Sequence, residues 1–355
     1  MTHIVHIIPT LLYGGAERTV VDLVLHSDPA RFKHTIIVFF DKIPMADNLN
    51  TKSVQVIVVP KKNKLGWGLV GDLKAELRRL QPDIVHTHLA GADIWGRLAA
   101  WQLGIPVVTT EYNVKDDNWF HWFAKRLMCN LSARYIAFSD DVKAFMLSAY
   151  KIKKPIDVIL PGIKLEKFAS ESIVAHKGAW RLAIIGRLAK QKGHKLALYA
   201  LAQLKEYNWQ LQIVGQGKLE LALRNLAEKL EIQGQVIFTP PTNDVPSILK
   251  NTDLLLMPSL WEGLGIVAME GMAAGVPVVG FKCPGLRAII QDGVTGLLAE
   301  EASISGLVKK LTWCFDNRDN CAEIALRARA YARDNFGIDK MVSKYEELYV
   351  KLLNC

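Results

Sequence analysis

The chain has 355 residues, half of them apolar, with five cysteines and a formal net charge of +9. That length predicts two domains, each able to bury its own core, and an odd cysteine count with no CxxC argues against a disulfide framework or zinc site and fits a reducing cytosol. The positive balance points to an anionic partner, but it is spread over both halves, with local clusters at Lys61-Lys62-Lys64 and Lys151-Lys153-Lys154, rather than drawn into the dense stripe nucleic acid demands.

In chain order, short apolar strands alternate with helical segments almost throughout, the pattern of a parallel sheet covered on both faces. Strands are expected at residues 4–8, 33–40, 54–59, 83–87, 106–109, 135–138 and 157–160, with helices at 17–25, 69–80, 94–103, 119–131 and 140–148, the last N-capped by Ser139. The opening IVHII run is too short for a signal-peptide core and has no basic residues before it. No uncharged apolar run reaches about 18 residues, so a soluble or peripheral protein is expected. Pro161-Gly162 and a polar stretch through Lys177 form the expected linker. The pattern then restarts, with strands at 182–185, 210–214, 236–238, 254–257, 276–279 and 296–298 and helices at 195–204, 218–230, 245–249 and 266–273. Helices at 304–315, 321–335 and 341–353 close the chain. Two tandem doubly wound domains are expected to bind ligands in a cleft at their strand C-termini.

Several strand–helix junctions carry candidate chemistry. At residues 10–23 a strand ends, Gly14-Gly15 turns and a helix begins. The Gly15 amide could approach a phosphate, although an ordinary β–α turn explains the same glycines. GRLAKQKG, residues 186–193, sets Arg187 and Lys192 at a strand's ligand end, suited to a diphosphate; a solvated basic loop is the plain alternative. IVGQGKLE, residues 213–220, would line a nucleotide pocket or simply turn. In VHTHLAG, residues 85–91, His86 and His88 share one strand face. With no third ligand near in sequence, His88 is better read as a hydrogen-bond donor than as half of a metal site. On residues 119–127, Trp119, Trp122, Phe123 and Leu127 share a helical face flanked by Lys125 and Arg126. A helix packed on the sheet is the expected reading, and an interfacial membrane helix the other. PSLWEGLGIVAMEGMAAGVP, residues 258–277, holds Glu262 and Glu270 eight positions apart, with Gly263-Leu264-Gly265 opening a helix between them. No DxD, GxSxG, Walker or strand-borne GxGxxG motif occurs. That argues against a carboxylate-held cation, α/β-hydrolases, P-loop enzymes and dinucleotide oxidoreductases.

Together these motifs resemble the retaining family-four glycosyltransferases of the GT-B fold, in which two Rossmann-like doubly wound domains face each other across a cleft. The likeness spans nearly the whole chain, from Gly14-Gly15-Ala16-Glu17 through residues 186–193 and 213–219 to the E-x7-E pair and Asp292-Gly293. It implies an acceptor-binding domain over residues 1–162, a nucleotide-sugar domain over 163–338 and a closing helix, 339–355, that crosses back to the first domain. It also implies site roles: Arg187 and Lys192 clamp the diphosphate, Glu270 binds the ribose, Glu262 sits beside the donor sugar, and the Gly263, Leu264 and Gly265 amides meet sugar and phosphate. His88 would face the donor sugar and reaction centre, and Gly15 the phosphates. His88 and the clamp lie on different domains, so closure around the donor would assemble the site. Two departures stand out: the family's IPNGVD reads LPGIK at 160–164, and its TEH reads Thr110-Glu111-Tyr112, a change that could alter acceptor contacts.

The expected activity is retaining, metal-independent sugar transfer without cofactor, from a UDP-sugar to an acceptor hydroxyl on a lipid-linked or lipopolysaccharide-type cell-envelope glycan. The enzyme is expected in the cytoplasm, peripheral at the inner face of the membrane. A nucleotide-sugar 2-epimerase and a catalytically idle nucleotide-sugar-binding subunit are the alternatives, and nucleic acid is not an expected partner.

Overall fold

The computed structural model describes residues 1–12, 14–41, 43–46, 49, 54–61, 66, 68–114, 118–168, 178–300 and 302–354. Lys62, Lys64, linker residues 169–177 and Cys355 lie outside them. The chain forms two compact units, Met1–Gly162 with Ile338–Cys355, and Ile163–Gly337.

In the first unit, strands β1 (Thr2–Ile8), β2 (Phe32–Val38), β3 (Gln55–Val58), β4 (Ile84–His88), β5 (Val107–Glu111), β6 (Arg134–Ala137) and β7 (Ile156–Val158) are joined by helices α1 (Gly15–His26), α2 (Leu69–Leu80), α3 (Leu89–Trp101), α4 (Trp119–Leu127) and α5 (Asp140–Phe145). In the second, β8 (Trp180–Ile185), β9 (Trp209–Val214), β10 (Val236–Thr239), β11 (Leu254–Met257), β12 (Val278–Phe281) and β13 (Leu297–Ala299) alternate with α6 (His194–Ala202), α7 (Glu220–Lys229), α8 (Val245–Lys250), α9 (Ile266–Ala274) and α10 (Pro284–Arg287). Helices α11 (Ile304–Asp316) and α12 (Arg318–Asn335) complete that unit, and α13 (Ile338–Leu353) belongs to the first.

All pairings are parallel, in the orders β3-β2-β1-β4-β5-β6-β7 and β10-β9-β8-β11-β12-β13. These are the Rossmann-like doubly wound sheets expected of the sequence. Covered on both faces, the central strands have almost no exposure and are chiefly Ile, Val and Leu, with His6, His86 and His88 buried among them in the first sheet. Each sheet reverses direction once, between β1 and β4 and between β8 and β11, and each reversal opens a crevice at the strand C-termini.

Local chemistry sets the boundaries. Ser139 caps α5 by accepting from the Val142 amide, and the helix passes into a π-helical turn at Met146–Tyr150. β12 starts two residues later than expected because Pro277 has no N–H to give the ladder; its carbonyl accepts from Leu255. Helix α13 lies on the first sheet through Ile338, Met341, Tyr345 and Tyr349, packed with Ile4, Phe32, Ile84 and Val108. Glu346 pins it further, accepting from the Ser27 hydroxyl and the Asp28 amide, both at 2.8 Å.

The chain enters this packing at Gly162, where a Cβ would stand 2.5 Å from the Ile338 Cα. Backbone cannot yield as a side-chain tip does, so Gly162→Ala is expected to destabilise the first unit by about 2 kcal/mol, within the overpacking range. A calorimetric scan should show its transition several degrees lower; an unchanged transition would mean that α13 is not held by this contact.

Candidate functional site

In the second unit the loops after β8 and β11 meet at the switch point. Gly193 has φ +64, and a Cβ there would stand 1.8 Å from the Pro258 carbonyl oxygen, so the two backbones touch where only glycine fits. Gln191 then stitches the loops: its carbonyl accepts from the Leu260 amide at 2.8 Å and its side-chain amide donates to the Trp261 carbonyl at 3.0 Å. The result brings Lys192 Nζ to 2.5 Å from Glu262 Oε1, which also accepts from the Ser259 hydroxyl at 2.6 Å. Glu262 is buried, while Lys192 keeps partial access to solvent. Arg187 is exposed, and its guanidinium donates to Gln191 Oε1 at 3.2 Å.

Of the residues singled out in the sequence, Arg187, Lys192 and Glu262 thus converge. Gly263, Leu264 and Gly265 follow on the same loop, with Gly265 as the N-cap of α9, where no side chain caps the first amides. Glu270 is buried within α9. Sequence reasoning assigned no task to Ser259 and Gln191, although Ser259 stands three residues before the acid it supports. His194, at the start of α6, is buried with neither ring nitrogen hydrogen-bonded among the described residues. Burial, with the charge of Lys192, lowers it to about 4.

The first unit has its own polar set at its switch point. Gly15 is exposed in the first turn of α1, whose N-cap, Gly14, offers no side-chain bond. His88 is the last residue of β4 and is buried. Its Nδ1 lies 2.6 Å from the Tyr112 hydroxyl and its Nε2 3.1 Å from His6 Nδ1, and His6 Nε2 reaches His34 Nδ1 at 3.0 Å. His86 bonds instead to the Tyr349 hydroxyl at 2.7 Å and to Thr110 at 2.8 Å. Burial holds His6 and His86 well below the usual range, and lowers His34 to about 4 and His88 to about 3, so all four rings are neutral near pH 7. The third histidine missing from the sequence motif therefore comes from the neighbouring strand, where His6 pairs in register with His86. One nitrogen from each of His6, His86 and His88 lies within 4.8 Å of the others, but every ring nitrogen of the three already has a hydrogen-bond partner that a cation would have to displace. Tyr112, which stands where the family's TEH has its histidine, turns its hydroxyl to His88 and packs edge-on against Phe138.

Helix α4 corrects the expectation of an aromatic face packed on the sheet. Trp119 is 76% exposed, Phe123 51% and Leu127 73%. The residue that faces inward is Lys125, whose Nζ lies 2.6 Å from Glu111 Oε2 and 3.7 Å from Asp93 Oδ2. Burial pushes the Asp93 carboxyl up to about 6, against the pull of Lys125 and Arg97. Arg126 is held too, donating to the Ala149 carbonyl at 3.0 Å.

Residues 13–167 match the family described as Glycosyltransferase Family 4, and residues 166–333 match that described as Glycosyl transferases group 1. Across 348 residues the chain is 27% identical to the UDP-Gal:alpha-D-GlcNAc-diphosphoundecaprenol alpha-1,3-galactosyltransferase of Escherichia coli, covering 87% of each chain. Among solved structures, Anabaena HepE in complex with UDP and glucose superposes with a TM-score of 0.87 at 21% identity, covering 99% of this chain and 100% of that one. WaaG, a glycosyltransferase involved in lipopolysaccharide biosynthesis, gives 0.79 at 20%, covering 98% and 99%. The chain belongs to the family-four glycosyltransferases and has their GT-B fold.

The neutral histidines make the first unit acid-sensitive. Each folded-state pKa lies below the unfolded value of about 6.5, so the unfolded chain binds more protons and stability falls as pH drops from about 6.5 toward 4. Urea titrations at pH 7 and pH 5 should differ by roughly 1–2 kcal/mol for each ring that stays neutral. Equal midpoints would show that the rings protonate without unfolding.

Proposed function

We propose that the protein moves a sugar from a UDP-sugar to an acceptor hydroxyl with retention of anomeric configuration and without a metal. The observation that carries this reading is the Lys192–Glu262–Ser259 cluster with Arg187 beside it at the β8/β11 switch point. Cation, acid and uncapped helix amides gathered at one strand edge suit a diphosphate joined to a sugar. Family membership and the galactosyltransferase named above support the same class of donor.

In this reading Arg187 and Lys192 bind the diphosphate, the Gly263–Leu264–Gly265 amides assist, Glu270 takes the ribose hydroxyls, and Gly15 approaches the phosphates. The bond from sugar to phosphate is already activated, so the residues have to orient the reactants and stabilise charge on the departing phosphate. The phosphate oxygen takes the acceptor proton on the face that it leaves. Glu262 positions the sugar. His88 would meet the sugar through the C–H edge of a neutral ring, since Tyr112 and His6 hold both of its nitrogens and burial keeps it from serving as an acid near pH 7. The donor should be found by a thermal-shift screen of nucleotide sugars and confirmed by mass spectrometry of the product with candidate acceptors.

The Lys192–Glu262 contact gives a contrasting pair of variants. Lys192→Ala should weaken donor binding and turnover together by about 2 kcal/mol, as for a charged hydrogen bond. Glu262→Ala should abolish transfer yet leave UDP binding unchanged or tighter, because it releases Lys192. Equal losses of UDP affinity in both would overturn these roles.

The acceptor proposed is lipid-linked or part of an envelope glycan, reached from the cytoplasmic face of the membrane. No described helix is long and apolar enough to cross a membrane. Helix α4 supports peripheral docking: its apolar face is exposed while both of its cations are spent inside the unit. Attraction to lipid would therefore be mainly apolar. Alanine at Trp119, Phe123 and Leu127 together should lower partitioning into lipid vesicles about 100-fold or more, each side chain being worth roughly 1.5–3 kcal/mol when buried. Wild-type binding that vanishes in 0.5 M salt would refute an apolar dock.

A further inference from the structure

The mechanism above uses His88 but gives no task to Tyr112, His6 or His34, which extend from it in one line. We propose that Tyr112 is a positioning residue for His88, its hydroxyl fixing which ring nitrogen carries the proton, with His6 and His34 propagating that choice across β4, β1 and β2. The proposal rests on the reading of His88 as part of the donor site.

The direction follows from counting donors. Tyr112 has His88 Nδ1 as its hydrogen-bond partner, at 2.6 Å, and His34 Nε2 at the far end has none among the described residues. If Tyr112 donates, His88 carries its proton on Nε2 and gives it to His6 Nδ1. His6 is then protonated on Nε2 and gives that proton to His34 Nδ1, and His34 Nε2–H alone is left over. If the chain runs the other way, His88 Nδ1–H donates to the phenol oxygen. The Tyr112 proton then has no acceptor, and His34 Nε2 is left a bare lone pair as well. The first arrangement strands one buried group and the second strands two, each at about 1–3 kcal/mol. All three rings are therefore locked as the Nε2–H tautomer.

The backbone beside His88 is held just as firmly. Leu89 has φ +68, a left-handed conformation that a leucine rarely adopts. It persists because Leu89 packs against the core of Leu11, Val20 and Ile36. Ring and backbone at the tip of β4 are each constrained from a different side, as expected where a group must be presented in one orientation.

Long-range ¹H–¹⁵N correlation spectra of histidine-labelled protein read the tautomers directly. At pH 7 wild-type His88, His6 and His34 should all be neutral Nε2–H rings. In Tyr112→Phe the two directions strand equal numbers of groups, so all three rings should become tautomer mixtures, including His34, which Tyr112 does not touch. The same variant should lose about tenfold in kcat with the donor KM little changed, and Tyr112→His, which restores a donor, should recover part of the loss. A wild-type ring found as Nδ1–H or charged, or a Tyr112→Phe protein with unmoved tautomers, would overturn the lock, and neither result depends on transfer. Altered tautomers with an unchanged kcat would overturn the positioning role. Absence of any transfer by the wild type would refute the proposed function and leave the spectra to decide the lock.

Discussion

A parallel sheet covered on both faces leaves polar side chains little room except at its ends. That constraint arranges this protein. In both units the strand interiors are aliphatic, and the residues with chemistry to offer sit just past a strand's C-terminus: Gly14-Gly15 after β1, His88 ending β4, residues 186–193 after β8 and 258–265 after β11. Strand order concentrates them further, because β1 adjoins β4 and β8 adjoins β11 at the two reversals. The first sheet also breaks the rule. His6, His34 and His86 are buried within its strands, and burying unpaired polar groups would cost several kcal/mol. They are tolerated because His6 hydrogen-bonds to His34 and His88, because His86 hydrogen-bonds to Thr110 and Tyr349, and because all remain neutral.

Much of this was legible in the sequence. Apolar runs of strand length separated by amphipathic helices give a doubly wound fold, and motif spacing gave the family. What spacing cannot give is which strands become neighbours. His6 and His88 are 82 residues apart, and only the insertion of β1 between β2 and β4 puts one beside the other. Lys192 and Glu262, 70 residues apart, could be assigned separately to phosphate and sugar, but their contact was invisible until β8 and β11 were adjacent. Helix α4 failed for a related reason. Residues 119, 122, 123 and 127 define an apolar face, but periodicity does not say which face is covered. Two buried acids decided it: Asp93 on α3 and Glu111 on β5 draw Lys125 inward and turn the aromatics out. An ammonium is costly to bury alone, and two carboxylates offset that cost.

The same reasoning bears on how the second-unit site would answer a ligand. Glu262 is buried, and removing the cation paired with it would strand a buried carboxylate at a cost of several kcal/mol. A diphosphate that recruits Lys192 would do this were it not for Ser259, whose hydroxyl stays 2.6 Å from the same oxygen. Ser259 thus supplies the hydrogen bond that Glu262 keeps once Lys192 turns to the phosphate. Arg187 stands differently: it is exposed and, among the described residues, tied to a neutral amide, so it can engage a phosphate without breaking an ion pair there. Under the proposed reading a donor would meet the exposed guanidinium first and the ammonium second. Release of Glu262 from its cation would then coincide with arrival of the sugar that it is to position. Binding of the phosphate and readiness of the acid become one event, which a carboxylate in open solvent could not achieve, because water would screen the ammonium from it in either state.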